Sequence, residues 1–407
     1  MVAVALLAVL FAASSYCMLA ILAPAQNFDF AITPNGPWIF SVTQKESKTT
    51  GNASDLYAPW LASREFLLHS QDPYSEKVAK EIQSAVYGGR VLRTHGTRND
   101  EQRFAYPLYT SLIISPLLAI PFYWLQPLAT VMFSFLTLVG FFYWKRGLRI
   151  CLAPGKENFF AGLLLVCLPA VQGVWLQQLG LFVCFLLAAA FCAITAERLI
   201  VGGLLLAFAM MKPQLGLPMA FCLAFWLFGD FRRRHRAAVS FFAVLAVLIS
   251  TAEILHPGWI PEWLHALREY RDYTQVRSFV EIVIGNPFAA LAITTALWLL
   301  AACICFMLRR AEAGTTSFAA GLCLCVTTGL LTSPNWQLHN QVVLLPAGIW
   351  LVSVMKRFRG MQRLLPMAPI ALLLASVLSM IGLLGAHAAD WGGSAIASAR
   401  LWQLRQF

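Results

Sequence analysis

The sequence predicts an all-α protein that crosses a membrane many times, on three observations. Apolar residues fill 59% of its 407 positions and charged residues only 12%, against roughly a quarter charged in a soluble domain. Mean hydropathy is +0.68. Apolar runs near the ~20 residues that a helix needs to cross a bilayer recur along the whole chain. Charges this sparse cannot coat several water-facing domains, which excludes a soluble enzyme, and the apolar content excludes disorder.

Val2 to Ala23 is an uncharged run closed by Pro24. It lacks the basic start of a signal peptide and reads as an uncleaved first span. The long polar segment 24–105 follows and is placed outside. Within it, Ser54-Asp55 opens a helix on which Leu56, Trp60, Ser63 and Leu67 recur at helical spacing. Gln71-Asp72-Pro73-Tyr74 is a turn. Ser75 to Val86 is a second amphipathic helix, with Val78, Ile82 and Val86 on one face and Gly88-Gly89 as its stop. Apolar runs then cover 106–124, 127–144, 158–176, 178–196, 199–211, 214–228, 237–255, 287–308, 315–331, 341–355 and 365–385. The second polar segment, 256–286, interrupts them. There Pro261 starts a helix with Trp263, Leu264, Leu267 and Tyr270 set against Glu262, Arg268 and Arg271. Such helices lie in the membrane interface, where a site can meet a lipid and a polar substrate together. The runs amount to about 11–12 transmembrane or re-entrant helices. Residues 1–385 are expected to form one membrane domain, with 386–407 as a tail.

The net charge of +11 is not a nucleic-acid footprint, because its placement is wrong for one. Short clusters at Lys145-Arg146, Arg149 and Lys156, Arg198, Arg232 to Arg236, Arg309-Arg310, and Lys356 to Arg363 hold 15 of the 30 basic residues and four acids. The rest of the chain balances. The whole excess sits in short loops, as expected for a cytoplasmic face, whereas a nucleic-acid surface would be a continuous basic patch. One conflict follows. If 24–105 is outside and Lys145-Arg146 inside, an odd number of crossings must separate them, yet two apolar runs lie there. Either the run from Tyr106, with Pro107, Pro116 and Pro121, only dips into the membrane, or both runs cross. The remaining loops agree with the first scheme.

The ten cysteines lie in apolar runs or, for Cys151, beside a basic loop. Cys303-x-Cys305 and Cys323-x-Cys325 point their thiols to different helix faces and read as packing residues.

Three positions carry potential chemistry. Asp55, in Asp55-Leu56-Tyr57-Ala58-Pro59-Trp60, is either a helix N-cap or a general base toward a hydroxyl. Asp72, before Pro73, reads as a turn former. Lys212 is the one charge in the 30 residues from Leu199 to Phe228 and is followed by Pro213-Gln214. That stretch suggests two short helices meeting at Lys212-Pro213. An ammonium there either snorkels to water or holds an anion such as a lipid phosphate. The loop Ser333 to Asn340 gathers polar side chains around His339, either a satisfied loop imidazole or a donor to phosphate. Gln177-Gln178 is polar where apolar residues would be cheaper. The chain lacks a phosphate-binding Gly-x-x-x-x-Gly-Lys run, a Gly-x-Ser-x-Gly elbow and His-Glu-x-x-His. Carboxylates for a proton relay are nearly absent from the apolar runs, Glu253 coming closest, which weakens an ion-coupled transporter.

In this order the motifs resemble the bacterial GT-C glycosyltransferases of family 87 (the DUF2029 group), which include polyprenol-phosphate-mannose-dependent mannosyltransferases and related arabinosyltransferases. The matching stretches run from about residue 50 to 346. They are the Asp55 helix with Gln71-Asp72-Pro73-Tyr74 (a Gly-x-Asp-Pro-Tyr pattern in the family), Phe104-Ala105-Tyr106-Pro107-Leu108 (Tyr-Pro-Pro), Gln178-Leu179-Gly180 (Gly-Gln), Gly202-Gly203 through Met211-Lys212-Pro213, and Ser333-Pro334 through Trp336 and His339. Three positions depart: Leu108 replaces the second Pro, Gln177 the Gly of Gly-Gln, and Ser70 a frequent Gly.

The resemblance implies a GT-C-like bundle in the plasma (inner) membrane, with its active site on the extracytoplasmic side. A polyprenyl phosphate sugar, such as a mannosyl donor, would enter from the membrane with its phosphate held by Lys212 and His339. Asp55 would deprotonate an acceptor hydroxyl, of a lipid or glycan, that attacks the anomeric carbon with inversion. Tyr57, Asp72, Tyr74, Tyr106, Gln178, Gln214 and Trp336 are the implied substrate-binding candidates. The donor ester supplies the energy, so no ATP and no cofactor is expected, with a divalent metal left open. Competing readings are a lipid or sugar-lipid transporter, which needs the cation but no base, and a non-catalytic assembly or export subunit.

Overall fold

The computed structural model describes residues 54–86, 102–151, 154–274, 277–334 and 337–355. The expected spans at 2–23 and 365–385, the tail, Gly88-Gly89, the basic cluster Lys356 to Arg363 and Trp336 lie outside these residues. Among the described residues all regular structure is helical. In chain order the α-helices are α1 (Tyr57–His69), α2 (Glu76–Val86), α3 (Tyr109–Ile114), α4 (Phe122–Gly147), α5 (Pro154–Val166), α6 (Leu168–Trp175), α7 (Leu179–Thr195), α8 (Leu199–Ala209), α9 (Pro213–Gly229), α10 (Phe231–Leu255), α11 (Trp259–Thr274), α12 (Phe279–Ile284), α13 (Pro287–Met307), α14 (Thr316–Thr332) and α15 (Leu345–Met355). Two 3-10 segments, Ser115–Ala119 and Leu338–Leu344, extend α3 and precede α15.

Among the described residues, α4, α10 and α13 are long and apolar enough to cross a membrane, and α5 with α6 makes a fourth, bent candidate. The protein is an all-α polytopic membrane protein. Two expected runs are broken. The stretch 158–176, read as one run, bends by 54° between α5 and α6, where Pro169 cannot donate a helical hydrogen bond and its ring crowds the preceding turn. The run at 106–124 becomes α3, a 3-10 segment with a short extended link, and the start of α4. From Tyr109 to Ala119 it reaches roughly 20 Å, at about 1.5 and 2.0 Å per residue, short of the ~30 Å hydrocarbon core. This length suits the dipping scheme.

The chain divides into two compact units. The first comprises 1–134, 174–179 and 245–275. It joins the two polar segments: Arg103 pairs with Glu76 of α2 at 2.8 Å and with Glu269 of α11 at 3.0 Å, and Trp263 Nε1 donates to the Ala105 carbonyl at 3.2 Å. These contacts hold α2, α11 and the stretch before α3 together. Leu56, Trp60 and Ser63 are buried as their spacing predicts, and Ser63 Oγ donates to Ser111 Oγ of α3 at 2.8 Å. On α2, Val78 and Ile82 are buried. Helix α11 starts at Trp259, two residues before Pro261. It buries Trp259 edge-to-face against Tyr109 (centroids 5.9 Å apart), while Ile260 and Leu264 stay exposed, as an interfacial helix requires.

The second unit comprises 135–173, 180–244 and 276–407. Its basic ends are tied together. The Arg234 guanidinium donates to the carbonyls of Trp226, Arg309 and Ala311 and stacks 4.2 Å over the Trp226 ring. The Arg149 guanidinium lies against Gly314. The loops after α4 and α13 therefore share one face, as the positive-inside reading needs. Helices α8 and α10 approach so closely that a Cβ at Gly203 would lie 2.1 Å from the Ala237 carbonyl oxygen. Cys303 is exposed and Cys305 buried, on different faces as predicted. Cys305 instead meets Cys325 of α14, sulfur to sulfur at 3.3 Å.

Candidate active site

In the first unit, Asp55 stands one residue ahead of the α1 N-cap, Leu56, which has no side-chain capping bond. The N-cap reading of Asp55 therefore does not hold. Ser54 Oγ accepts from the N–H of Leu56 itself at 3.2 Å. The Asp55 backbone N–H donates to the Leu176 carbonyl at 2.9 Å, and its Oδ2 accepts a hydrogen bond from Gln178 Nε2. The carboxylate is half-buried. Burial and the Asp55 charge both push the Tyr106 phenol above its ordinary pKa, so Tyr106 stays a neutral donor beside the acid.

The support for Gln178 comes from its neighbour. Gln177 has φ +53°, the left-handed region that costs a residue with a Cβ about 1 kcal/mol or more. Its amide offsets this, since Oε1 accepts from Ser54 Oγ while Nε2 donates to the Gln126 carbonyl and to Thr130 Oγ1 at 3.0 Å. Gln177 stands where the family pattern has Gly. Ser70, the other such departure, is also left-handed, with φ +53° at the end of α1. The backbone turns survive at both positions without glycine.

The other candidates of this unit are placed as follows. Tyr74 donates through its hydroxyl to the Tyr106 carbonyl at 2.8 Å, and burial raises its pKa. Tyr57 is half-buried and packs edge-on against Phe122 (4.8 Å, 82°); burial, then the Glu81 charge, raise its pKa. Asp72 is a turn former as predicted, its Oδ1 accepting from the Tyr74 N–H at 2.8 Å.

In the second unit, α8 ends at Ala209 and α9 begins at Pro213, so two short helices meet at Lys212 as expected. Pro213 ends the first hydrogen-bonded path and opens the second at the position where a missing N–H costs least. Lys212 is only 4% exposed, which excludes the snorkelling reading. Its Nζ donates to Asn340 Oδ1 at 3.3 Å. Gly180 packs closely beside them, where a Cβ would lie 3.2 Å from Asn340 Oδ1 and 3.3 Å from Lys212 Nζ. His339 is 3% exposed and its backbone N–H donates to Gln172 Oε1 at 3.0 Å. Both of its ring nitrogens are buried without a hydrogen-bond partner. Burial and the nearby Lys212 charge hold its pKa well below the ordinary imidazole value, so the ring is neutral at pH 7 and one nitrogen carries a proton to donate. Gln214 is half-buried in the first turn of α9. Trp336 lies outside the described residues.

The structure thus gathers Asp55, Gln178 and Tyr106 in the first unit, and Lys212, His339, Asn340 and Gly180 in the second. Two participants carried signals that were not followed to a role. Asn340 ends the polar loop that contains His339. Gln172 is an uncharged polar residue inside an apolar run, the same signal that drew attention to Gln177-Gln178.

No curated protein and no solved structure matches the chain. The sequence model of glycosyltransferase family 87 matches residues 104–334, more than half of the chain. That stretch contains Tyr106, Gln178, Gly180, Lys212 and Gln214, while Asp55 and His339 flank it. A buried ammonium at a helix break and a positioned carboxylate are groups that sugar transfer can use, and the match to the family is direct: the chain belongs to glycosyltransferase family 87.

Proposed function

We propose that this glycosyltransferase moves a hexose, such as mannose, from a polyprenyl phosphate donor to an acceptor hydroxyl on a lipid or glycan at the outer face of the plasma (inner) membrane, with inversion. The observation that carries the reading is Lys212, a buried ammonium held by Asn340 within a membrane protein. Burying a cation in such surroundings is expensive, and a phosphate is the anion that a lipid-linked sugar brings to it. His339 supports the same reading, because two buried ring nitrogens without partners are costly until a ligand oxygen accepts from one.

In the proposed step the Asp55 carboxylate takes the proton of the acceptor hydroxyl. The oxygen attacks the anomeric carbon as the bond from that carbon to the phosphate oxygen breaks. The electron pair leaves with polyprenyl phosphate, whose charge grows to a dianion in the transition state. Lys212 and the neutral His339 oppose that growing charge, where fixed donors are worth most. Gln178 orients the carboxylate, and Tyr106 and Tyr74 line its approach.

The test is turnover and donor binding by purified Asp55→Asn in lipid, with a small panel of polyprenyl phosphate sugars. Turnover is expected to fall by about 10²–10⁴-fold with donor affinity nearly unchanged. Normal transfer by the variant would remove Asp55 from the reaction. Movement of lipid without sugar transfer in the wild type would favour a transporter.

A further inference from the structure

A second constellation lies in the first unit, beside Tyr74. Asp72 comes from the turn between α1 and α2, His256 from the turn after α10, and Glu262 from the first turn of α11. One carboxylate oxygen from each acid and a ring nitrogen of His256 all lie within 4.8 Å of one another. His256 Nε2 is 2.6 Å from Glu262 Oε2 and 3.8 Å from Asp72 Oδ1. A single ring nitrogen therefore faces both carboxylates.

The backbone on each side is fixed. The Tyr74 N–H binds Asp72 Oδ1, and Ser75 Oγ donates to the Asp72 carbonyl at 2.7 Å. The turn after α10 is closed by the Gly258 N–H on Glu253 Oε1 at 2.9 Å, with Gly258 at φ +84°. The His256 ring meets Phe66 edge-on at 6.1 Å. Gln71, next to Asp72, adds a buried amide oxygen without a hydrogen-bond partner. The side chains of Asp72, His256 and Glu262 remain 38%, 22% and 42% exposed, which leaves water access to the centre.

Two carboxylates this close to one another and to one ring nitrogen repel. A divalent ion between the three side chains balances both negative charges. Bonds of about 2.0–2.2 Å place ligand atoms roughly 3–4.4 Å apart around one ion, so closing the site from its present spacing takes shifts below about 1 Å.

We propose that Asp72, His256 and Glu262 form a divalent-metal site that joins the two outer polar segments. One imidazole nitrogen and two carboxylate oxygens would bind, with the other positions open to water. The mixed donor set suits Mn²⁺ or Zn²⁺ over Mg²⁺, which prefers oxygen alone. On binding, the ion enters between the three side chains and any proton shared by Nε2 and Glu262 leaves to solvent. This assignment rests on geometry alone and is independent of the proposed donor and acceptor.

The test uses full-length protein in lipid nanodiscs, stripped with chelator and titrated with MnCl2 while free Mn²⁺ is followed by electron paramagnetic resonance. One equivalent should disappear from the free signal, and pulsed spectra of the bound ion should show coupling to one imidazole nitrogen. His256→Gln and Glu262→Gln should each weaken binding by about tenfold or more. Bound Mn²⁺ without nitrogen coupling in the wild type would overturn the proposal, and that measurement needs no variant to fold. Equal affinity in both variants, or complete displacement of Mn²⁺ by equimolar Mg²⁺, would overturn it as well.

Discussion

The two charged groups assigned to sugar transfer sit in unlike surroundings. Asp55 is half-buried on a polar segment, where water can reach it and a proton can be exchanged. Lys212 is almost fully buried at a break between two apolar helices. Each has a neutral amide as partner, Gln178 for the acid and Asn340 for the cation. The difference in burial suits the proposed difference in role, since a base must trade protons, while a cation proposed to hold phosphate gains strength from a low dielectric.

This contrast is sharpest in kinetics. Asp55→Asn should act through kcat. Lys212→Ala should lower kcat/KM by about 10²–10³-fold, with a matching loss of donor binding measured directly. If both variants change only kcat with donor binding intact, the division of labour is wrong.

A smaller effect tests what holds Gln178 in place. Gln177→Ala removes a hydrogen bond to buried Ser54 and two further hydrogen bonds, and should destabilise the protein by about 2 kcal/mol. Gln177→Gly loses the same bonds but relieves the left-handed backbone, so it should be about 1 kcal/mol less damaging. Thermal unfolding in detergent compares the two, and an equal loss would show that φ +53° is not strained there.

The His339 neighbourhood should respond to pH. Its folded pKa lies below the ordinary 6.5, so below pH 6.5 the unfolded chain binds a proton that the folded protein excludes. Stability should therefore fall with pH from about 6.5 down to the folded pKa, by at most about 1.4 kcal/mol per pH unit. Lys212 is the charged group that faces the ring. In His339→Gln the melting temperature should lose this acid dependence relative to wild type; an unchanged difference between pH 7.5 and 5.5 would count against a buried neutral imidazole. The smallest effect is at Ser70. Ser70→Gly removes the left-handed penalty at the end of α1 and should raise stability by about 0.5–1 kcal/mol, read as a higher melting temperature.

Much of this was legible from residues alone. Lys212 followed by proline, within 30 residues that hold no other charge, located the helix break and the cation together. The spacing of Val78 and Ile82 indicated α2, and Pro261 came within two residues of the start of α11. The role of Asp55 was not decidable in the same way, because an N-cap and a base use the same side chain at nearly the same place. Pro169 was overlooked as a break because the apolar run continues through it. The trio of Asp72, His256 and Glu262 was invisible, since its members are drawn from two polar segments almost 200 residues apart.

Composition and periodicity by themselves determined that this protein is helical, lies in a membrane and concentrates its basic residues in short loops. Those properties follow from transfer free energy and backbone geometry, which act residue by residue. Only the tertiary structure decided that Leu56 rather than Asp55 stands at the N-cap of α1, that Asn340 accepts from Lys212, and that a glutamine amide maintains a turn suited to glycine. These depend on which distant side chains come within hydrogen-bond reach, and a reach of about 3 Å is fixed by packing rather than by position along the chain.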